Sequence, residues 1–226
     1  MRKSLDSPNE KFYRIQAQLS SPINLKKFSF DEQKMQIILE DKRNTIDILN
    51  YFPLYEETGI DPSISFTGWH IQNVTVEIKE HYYSVYNETY SQYILTIPIN
   101  RIAFNSFLKT FLPVMFIIVV MLSSFILDPD KITTRLSMVG SALIASVMFH
   151  VSLSNQIPPV GYLTFADRFM ILTYFVILVS FALNVMMLEL IERKNEALVK
   201  RVHSRTEYTM FIAIPLIYIA LFIFFI

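Results

Sequence analysis

Residues 132–153 read ITTRLSMVGSALIASVMFHVSL. A bilayer core of roughly 30 Å takes about 20 helical residues to cross, so the stretch is long enough to span one. It is unusually rich in serine for that task. Read at steps of four and three, and continued one turn further, it places Ser137, Ser141, Ile144, Met148, Val151 and Asn155 on one face. The stripe is small and hydroxylic at one end and apolar in its middle. Hydroxyls can replace part of an ion's hydration shell, and a ring of apolar side chains can gate a narrow pore by dewetting. Serine in a membrane helix also serves as interhelical glue, and periodicity alone leaves these two readings level.

Three further apolar segments flank this one. Residues 107–127 read FLKTFLPVMFIIVVMLSSFIL, and the others are 163–188 and 208–226. Pro113 and Pro215 fall inside the first and last, where neighbouring helices can satisfy the carbonyls a proline frees. Four membrane helices are therefore expected, at 107–127, 132–153, 163–188 and 208–226. Composition supports the division. The chain is 52% hydrophobic, too oily for a soluble domain of this length, and its charge is concentrated in residues 1–105. The expected fold is a membrane protein, with a partial β-sandwich over 1–105 followed by a four-helix transmembrane bundle over 106–226.

Loop charge suggests an orientation. The connection between the third and fourth helices carries Arg193, Lys194, Lys200, Arg201 and Arg205, whereas SNQIPPVGY between the second and third has no basic residue. The positive-inside rule puts the former in the cytoplasm. Both the N-terminal domain and the C-terminus then lie outside a cell membrane that the chain crosses several times.

Other function classes find little support. Net charge is zero, without the basic excess that nucleic acid favours. Cysteine is absent, and the four histidines make no i, i+4 ligand pair, so no metal site is expected. No nucleophile–base pair, phosphate loop or metal-ligand spacing points to an enzyme, and no cofactor is implied.

Three separated motifs resemble the pentameric ligand-gated (Cys-loop type) ion channels, particularly their prokaryotic proton-gated members. SPINLKKFSFDEQKM, residues 21–35, is similar to the family's signature loop, with Ser21 and Met35 where animal receptors carry half-cystines. Arg101, followed twelve residues later by Pro113 in FLPVMF, resembles the basic residue before the first helix and that helix's proline. SALIASVMF followed by IPPVGYLTFADRFM resembles the pore helix and the loop that caps it, and FTGW at 66–69 adds a weaker match.

The resemblance implies a homopentamer with the second helix around a central axis, conducting ions when a small-molecule or proton agonist acts on the outer domain. Its partners would be membrane lipid, permeant ions and identical or full-length paralogous subunits. The alternative is a truncated, non-conducting subunit that modulates such partners. Strands are expected at 13–19, 34–39, 69–79 and 89–99, which is about half of the family's sandwich. MRKSLDSPNEK has no apolar run and does not read as a signal peptide. The expectation is therefore that the natural N-terminal portion is missing, and that the half-sandwich alone, with exposed strand edges, is destabilised.

The resemblance also assigns residues. Asp31 and Arg101 would pair at the interface that transmits motion to the pore, the reading preferred over an interfacial arginine that anchors a helix end. Phe28, Pro158 and Tyr162 would meet there, or would simply pack and end a helix. Asp130, Thr133, Thr134 and Arg135 would line the cytoplasmic mouth. Neither family selectivity motif is present, and Asp128 and Asp130 tilt the reading to cations. His150, an ionisable group inside a membrane helix off the stripe, is a candidate proton sensor, or a neutral histidine bonded to a neighbouring helix. Tyr82, Tyr83, Tyr86, Tyr90 and Tyr93 crowd one region, as aromatic cages for amines do, but tyrosine is also a good strand residue. Lys42 stands where the cage tryptophan would be, so no amine agonist is expected.

Overall fold

The computed structural model describes residues 14–18, 21–194 and 196–225. It comprises a twisted antiparallel sheet followed by a bundle of long helices.

The sheet is built on one central strand. β4 (Glu88–Arg101) pairs along one edge with β1 (Glu32–Glu40) and along the other with β2 (Trp69–Ile71) and β3 (Thr75–Tyr83). Register passes from Ile71↔Ile99 to Thr75↔Thr96, so the β2–β3 side carries one extra residue. That is a bulge, which bends the strand, and it splits the single strand expected over 69–79. The hairpin turns through Asn87 at φ 55°, a conformation asparagine tolerates better than most residues. β3 therefore runs to Tyr83 and β4 starts at Glu88, past the strand ends expected at 79 and 89. Phe66 to Trp69 form a turn closed by Trp69 N–H donating to Phe66 O (3.0 Å). Gly68, at φ 85°, takes the position that disfavours a Cβ. Residues 14–18 are not strand, which corrects the strand expected over 13–19; Tyr13 and Leu19 lie outside the described residues. Among the described residues there is one sheet and no second layer.

Helices follow directly. α1 (Ala103–Thr110) and α2 (Leu112–Ile126) meet at a 41° bend. Pro113 removes the N–H that would bond Lys109 O, and the expected first helix breaks there. After a 3-10 turn (Pro129–Lys131) come α3 (Ile132–Ser154), α4 (Phe165–Glu192) and α5 (Glu196–Phe225). α3 to α5 are each long and apolar enough to cross a membrane, and the α1–α2 pair makes a fourth span if taken as one. α5 begins well before the expected residue 208. Its charged first turns still bury Val199, which packs with Ile132 and Met187. What composition marked as a linker is an amphipathic extension of the helix.

Phe111, Val114, Met121, Phe125, Val139, Phe165, Phe169, Met170 and Ile177 form the bundle core. Outward apolar side chains such as Val119, Phe175, Leu178 and Ile212 are exposed, a surface suited to lipid rather than water. Helices bond most of their backbone within the segment, as a membrane requires. These features make the chain a multi-pass membrane protein with a partial β-sheet domain.

Candidate functional site

Two places bring the singled-out residues together. The first is the junction of sheet and bundle. The loop at residues 21–35 folds down onto the start of α4. Phe165 N–H donates to Lys26 O (2.9 Å) and Ala166 N–H to Phe28 O (3.1 Å). A helix start leaves its first N–H groups without partners, and here loop carbonyls take two of them. Thr164 and Asp167 supply the rest as a capping box. Tyr162 Oη accepts from Leu25 N–H (2.8 Å). Ser29 and Thr110 hydroxyls share a hydrogen bond of 2.7 Å. Phe30 stacks on Phe111 (5.6 Å, 3° between planes), and Phe165, Phe169 and Phe222 close around Phe111.

Arg101 sits at the end of β4, above this contact. Its Nε donates to Asp31 Oδ1 (2.7 Å) and its Nη2 to Asp31 Oδ2 (3.3 Å). The Asp31 side chain is 1% exposed, and Gln33 Nε2 gives it a third hydrogen bond (2.8 Å). The guanidinium also lies 4.3 Å from the Trp69 ring centroid and 4.9 Å from that of Phe28. A buried carboxylate is tolerable only when paired and hydrogen-bonded in this way. Phe28, Asp31, Arg101 and Tyr162 are thus gathered at one junction. Pro158 is exposed. Trp69 and the phenylalanine cluster were missed as site residues. The signal was present in FTGW and in the i, i+4 pairs Phe107/Phe111 and Phe165/Phe169.

The second place is α3. Ser137, Ser141, Ile144, Met148, Val151 and Asn155 are all exposed, as are Asp130, Thr133 and Thr134. Ile132, Arg135, Val139, Ala142, Ser146 and Leu153 are buried. At about 100° per residue these two sets lie on opposite sides of the helix, so the stripe points away from the rest of its own chain. Arg135 corrects the expected mouth assignment. It is 1% exposed, with its guanidinium over the Phe125 ring at 5.4 Å and Nη1 3.5 Å from His203 Nδ1. The physical reason is rotational: Arg135 precedes Ser137 by two residues, about 200° around the helix.

His150 lies beside α4, its Nδ1 2.8 Å from Tyr174 Oη and its Nε2 3.4 Å from Asp167 Oδ1. Asp167 is the capping carboxylate just described, so this ring touches the residue that organises the docking point. No group of metal-ligating side chains occurs among the described residues. On the sheet, Glu40 accepts from Gln92 (2.7 Å) and Tyr83 (2.9 Å) and meets His81 Nδ1 (3.1 Å). Burial pushes the Glu40 carboxyl up, but the bonds from Gln92, Tyr83 and His81 outweigh it and hold the group below its ordinary range. Tyr83, Tyr86 and Tyr90 are in ring contact, while Tyr82 bonds Asn87 and Tyr93 meets Thr58. Tyr90 donates to Glu88, whose carboxylate pushes the phenol up to about 12.

No protein-family model matches the chain. It is similar to a proton-gated ion channel of Gloeobacter violaceus, 24% identical over 165 residues that cover 71% of this chain and 44% of that protein. It is also similar to pH-sensitive chloride channel 2 of Drosophila melanogaster, 26% identical over 180 residues that cover 75% of this chain and 34% of that protein. The chain therefore spans less than half the length of either relative. Both relatives are ion channels and not enzymes. The chain is a multi-pass membrane protein that resembles the pentameric ligand-gated (Cys-loop type) ion channels.

Proposed function

We propose that the chain is the pore-forming subunit of a homopentameric ligand-gated ion channel. Residues 1–105 form a ligand-responsive β-sandwich portion outside the cell membrane, and 106–226 form a four-helix channel domain. The α3 face carries the reading. Its stripe, from Ser137 to Asn155, polar at the ends and apolar in the middle, is exposed opposite the buried side of the same helix. Polar side chains on a membrane helix are costly against lipid, and a water-filled axis shared by identical subunits suits them. Ser137 and Ser141 then line the inner part of the pore, with Ile144, Met148 and Val151 as its apolar constriction.

Lys194, Lys200, Arg201 and Arg205 cluster at the end of the bundle away from the sheet, which favours a cytoplasmic location for that end. Asp128 and Asp130 are exposed there while Arg135 is withdrawn, a charge balance that favours cations. The chloride-channel name of the Drosophila relative leans the other way. Asp31, Arg101, Phe28 and Tyr162 are the coupling residues, since movement of the sheet pulls on the α4 start through the 21–35 loop. Protonated His150 gains an ion pair with Asp167 at that same start, which makes a proton a fitting agonist.

The test is bilayer recording of the purified full chain under a sodium chloride gradient, with the pH of each side stepped in turn. Openings that reverse toward the sodium equilibrium potential support the reading, and reversal toward chloride removes the cation assignment. A silent chain that alters currents of a co-expressed full-length relative replaces this reading with the modulatory one.

A further inference from the structure

We propose that His203 and Glu207 of α5 form a latch that holds the Arg135 guanidinium inside its own subunit, keeping that charge out of the exposed end of α3. Arg135 lies in the first turn of α3, beside the exposed Thr133 and Thr134. Its stem is long enough to carry the charge to an aqueous rim by a rotamer change, as arginines near helix ends do. In the structure it turns the other way. The guanidinium lies on Phe125, and Nη1 is 3.5 Å from His203 Nδ1. His203 Nε2 is in turn 4.0 Å from Glu207 Oε2, one helical turn along α5.

The chemistry fixes the tautomer. A guanidinium offers only donors, so Nδ1 must accept and the ring proton sits on Nε2, facing Glu207. Glu207, at 4.0 Å, acts on the ring by its charge rather than by a hydrogen bond, and the ring presents its lone pair to Arg135. The hold is slight by design of its parts. The contact to Nδ1 is long, and Arg135 Nε has no partner among the described residues, so the buried charge is incompletely compensated. Such a group is poised to leave. Protonating His203 turns Nδ1 into a donor and removes the acceptor that Nη1 meets among the described residues. The charged groups that act on His203 are Arg135 from α3, Glu207 from α5 and Asp128 from the α2–α3 connection. A released Arg135 adds one positive charge per subunit to the mouth that Asp130, Thr133 and Thr134 line. That consequence for selectivity rests on the pore reading above, whereas the latch itself does not.

Phenylglyoxal labelling of arginine, read by mass spectrometry on the full chain in lipid nanodiscs, tests the latch without requiring current. Arg193, whose side chain is 71% exposed, is the internal reference. Arg135 should label slowly in the parent. His203→Ala should raise its rate relative to Arg193 by roughly tenfold, as losing a hydrogen bond to a charged group does, and Glu207→Gln, which removes only a charge 4.0 Å from His203, should raise it by less. His203→Asn, which returns an acceptor near Nδ1, should restore slow labelling. Burial and then the Arg135 charge hold the His203 imidazole below its ordinary range, so lowering pH below that range should raise the Arg135/Arg193 ratio in the parent and not in His203→Ala. Unchanged Arg135 labelling in His203→Ala and Glu207→Gln overturns the proposal. Acceleration that His203→Asn fails to reverse also overturns it, by assigning the loss to packing. Reversal potentials separate the two readings. A shift toward chloride in His203→Ala extends the latch to selectivity, and the absence of any current in parent and variants counts against the pore reading while the labelling ratios still decide the latch.

Discussion

Replacing Arg101 by methionine keeps a long apolar stem over Trp69 and Phe28 but removes both hydrogen bonds to Asp31. Asp31 is 2% exposed and would keep only the Gln33 amide as a side-chain donor. Breaking one partner out of a buried ion pair costs about 3–5 kcal/mol. The Arg101 side chain is 23% exposed, so water can enter its place, and the lower end applies. Lost stacking on two rings adds about 0.5–1 kcal/mol, which the methionine partly returns. A net local cost of about 3–3.5 kcal/mol corresponds to roughly 150- to 400-fold. Its readout is hydrogen exchange of the loop amides at Phe28 and Phe30, which are bonded within the loop to Leu25 O and Lys27 O, because local opening sets that rate. Asp31→Asn should cost less, since the amide keeps a polar contact without a stranded charge. In the double variant the costs should fall short of their sum by at least about 1 kcal/mol, beyond the roughly 0.5 kcal/mol scatter of independent sites. Strict additivity, or unchanged exchange in Arg101→Met, would refute the account of a buried, structure-setting pair at this junction.

Phe111→Ala removes a ring that is 1% exposed and in contact with five others. A loss of about 3–5 kcal/mol is expected, seen as a lower melting temperature in detergent and faster exchange of the 21–35 loop. Thr164→Ala should cost about 1 kcal/mol through the lost α4 cap, and exchange at Asp167 N–H should report it locally. Glu40 has a folded value held below the ordinary one, so its contribution to the sheet is fully present above the ordinary glutamate range. That contribution is lost as pH falls through the lower folded value. Protection of β1 and β4 amides should decline over that acidic window in the parent, and Glu40→Gln should flatten the decline. His150→Phe should shift the pH dependence of opening, and an unchanged activation curve removes the proton-sensing role.

The sequence was most informative where one physical rule acts alone. Length and hydropathy suffice to find α3 to α5, and step-of-seven periodicity finds a face that tertiary packing leaves open. The Arg101–Asp31 contact, 70 residues apart in sequence, was reachable only through the resemblance, because no local pattern encodes it. The early start of α5 was hidden because residues 196–207 are charged and a hydropathy window discounts them, although Val199 and Val202 mark a buried face. Arg135 was misplaced for a different reason. Its charge drew it to the mouth, whereas its angle from Ser137 already put it on the packed side. The bulge at residues 72–74 and the 41° bend at Phe111 arise from register and from Pro113 in context, and neither is visible as composition.

The claim that α3 turns its stripe toward water is open to cysteine accessibility, since the chain contains no native cysteine. Single substitutions Ser141→Cys, Ile144→Cys, Met148→Cys and Val151→Cys, in the full chain in liposomes, can be compared with Val139→Cys and Ala142→Cys. A charged, membrane-impermeant thiosulfonate should modify the first group and block current, and should leave the second group unreacted. Equal reactivity in both groups, or stripe cysteines that respond only to a lipid-soluble reagent, would place that face in packing or in lipid and contradict the account.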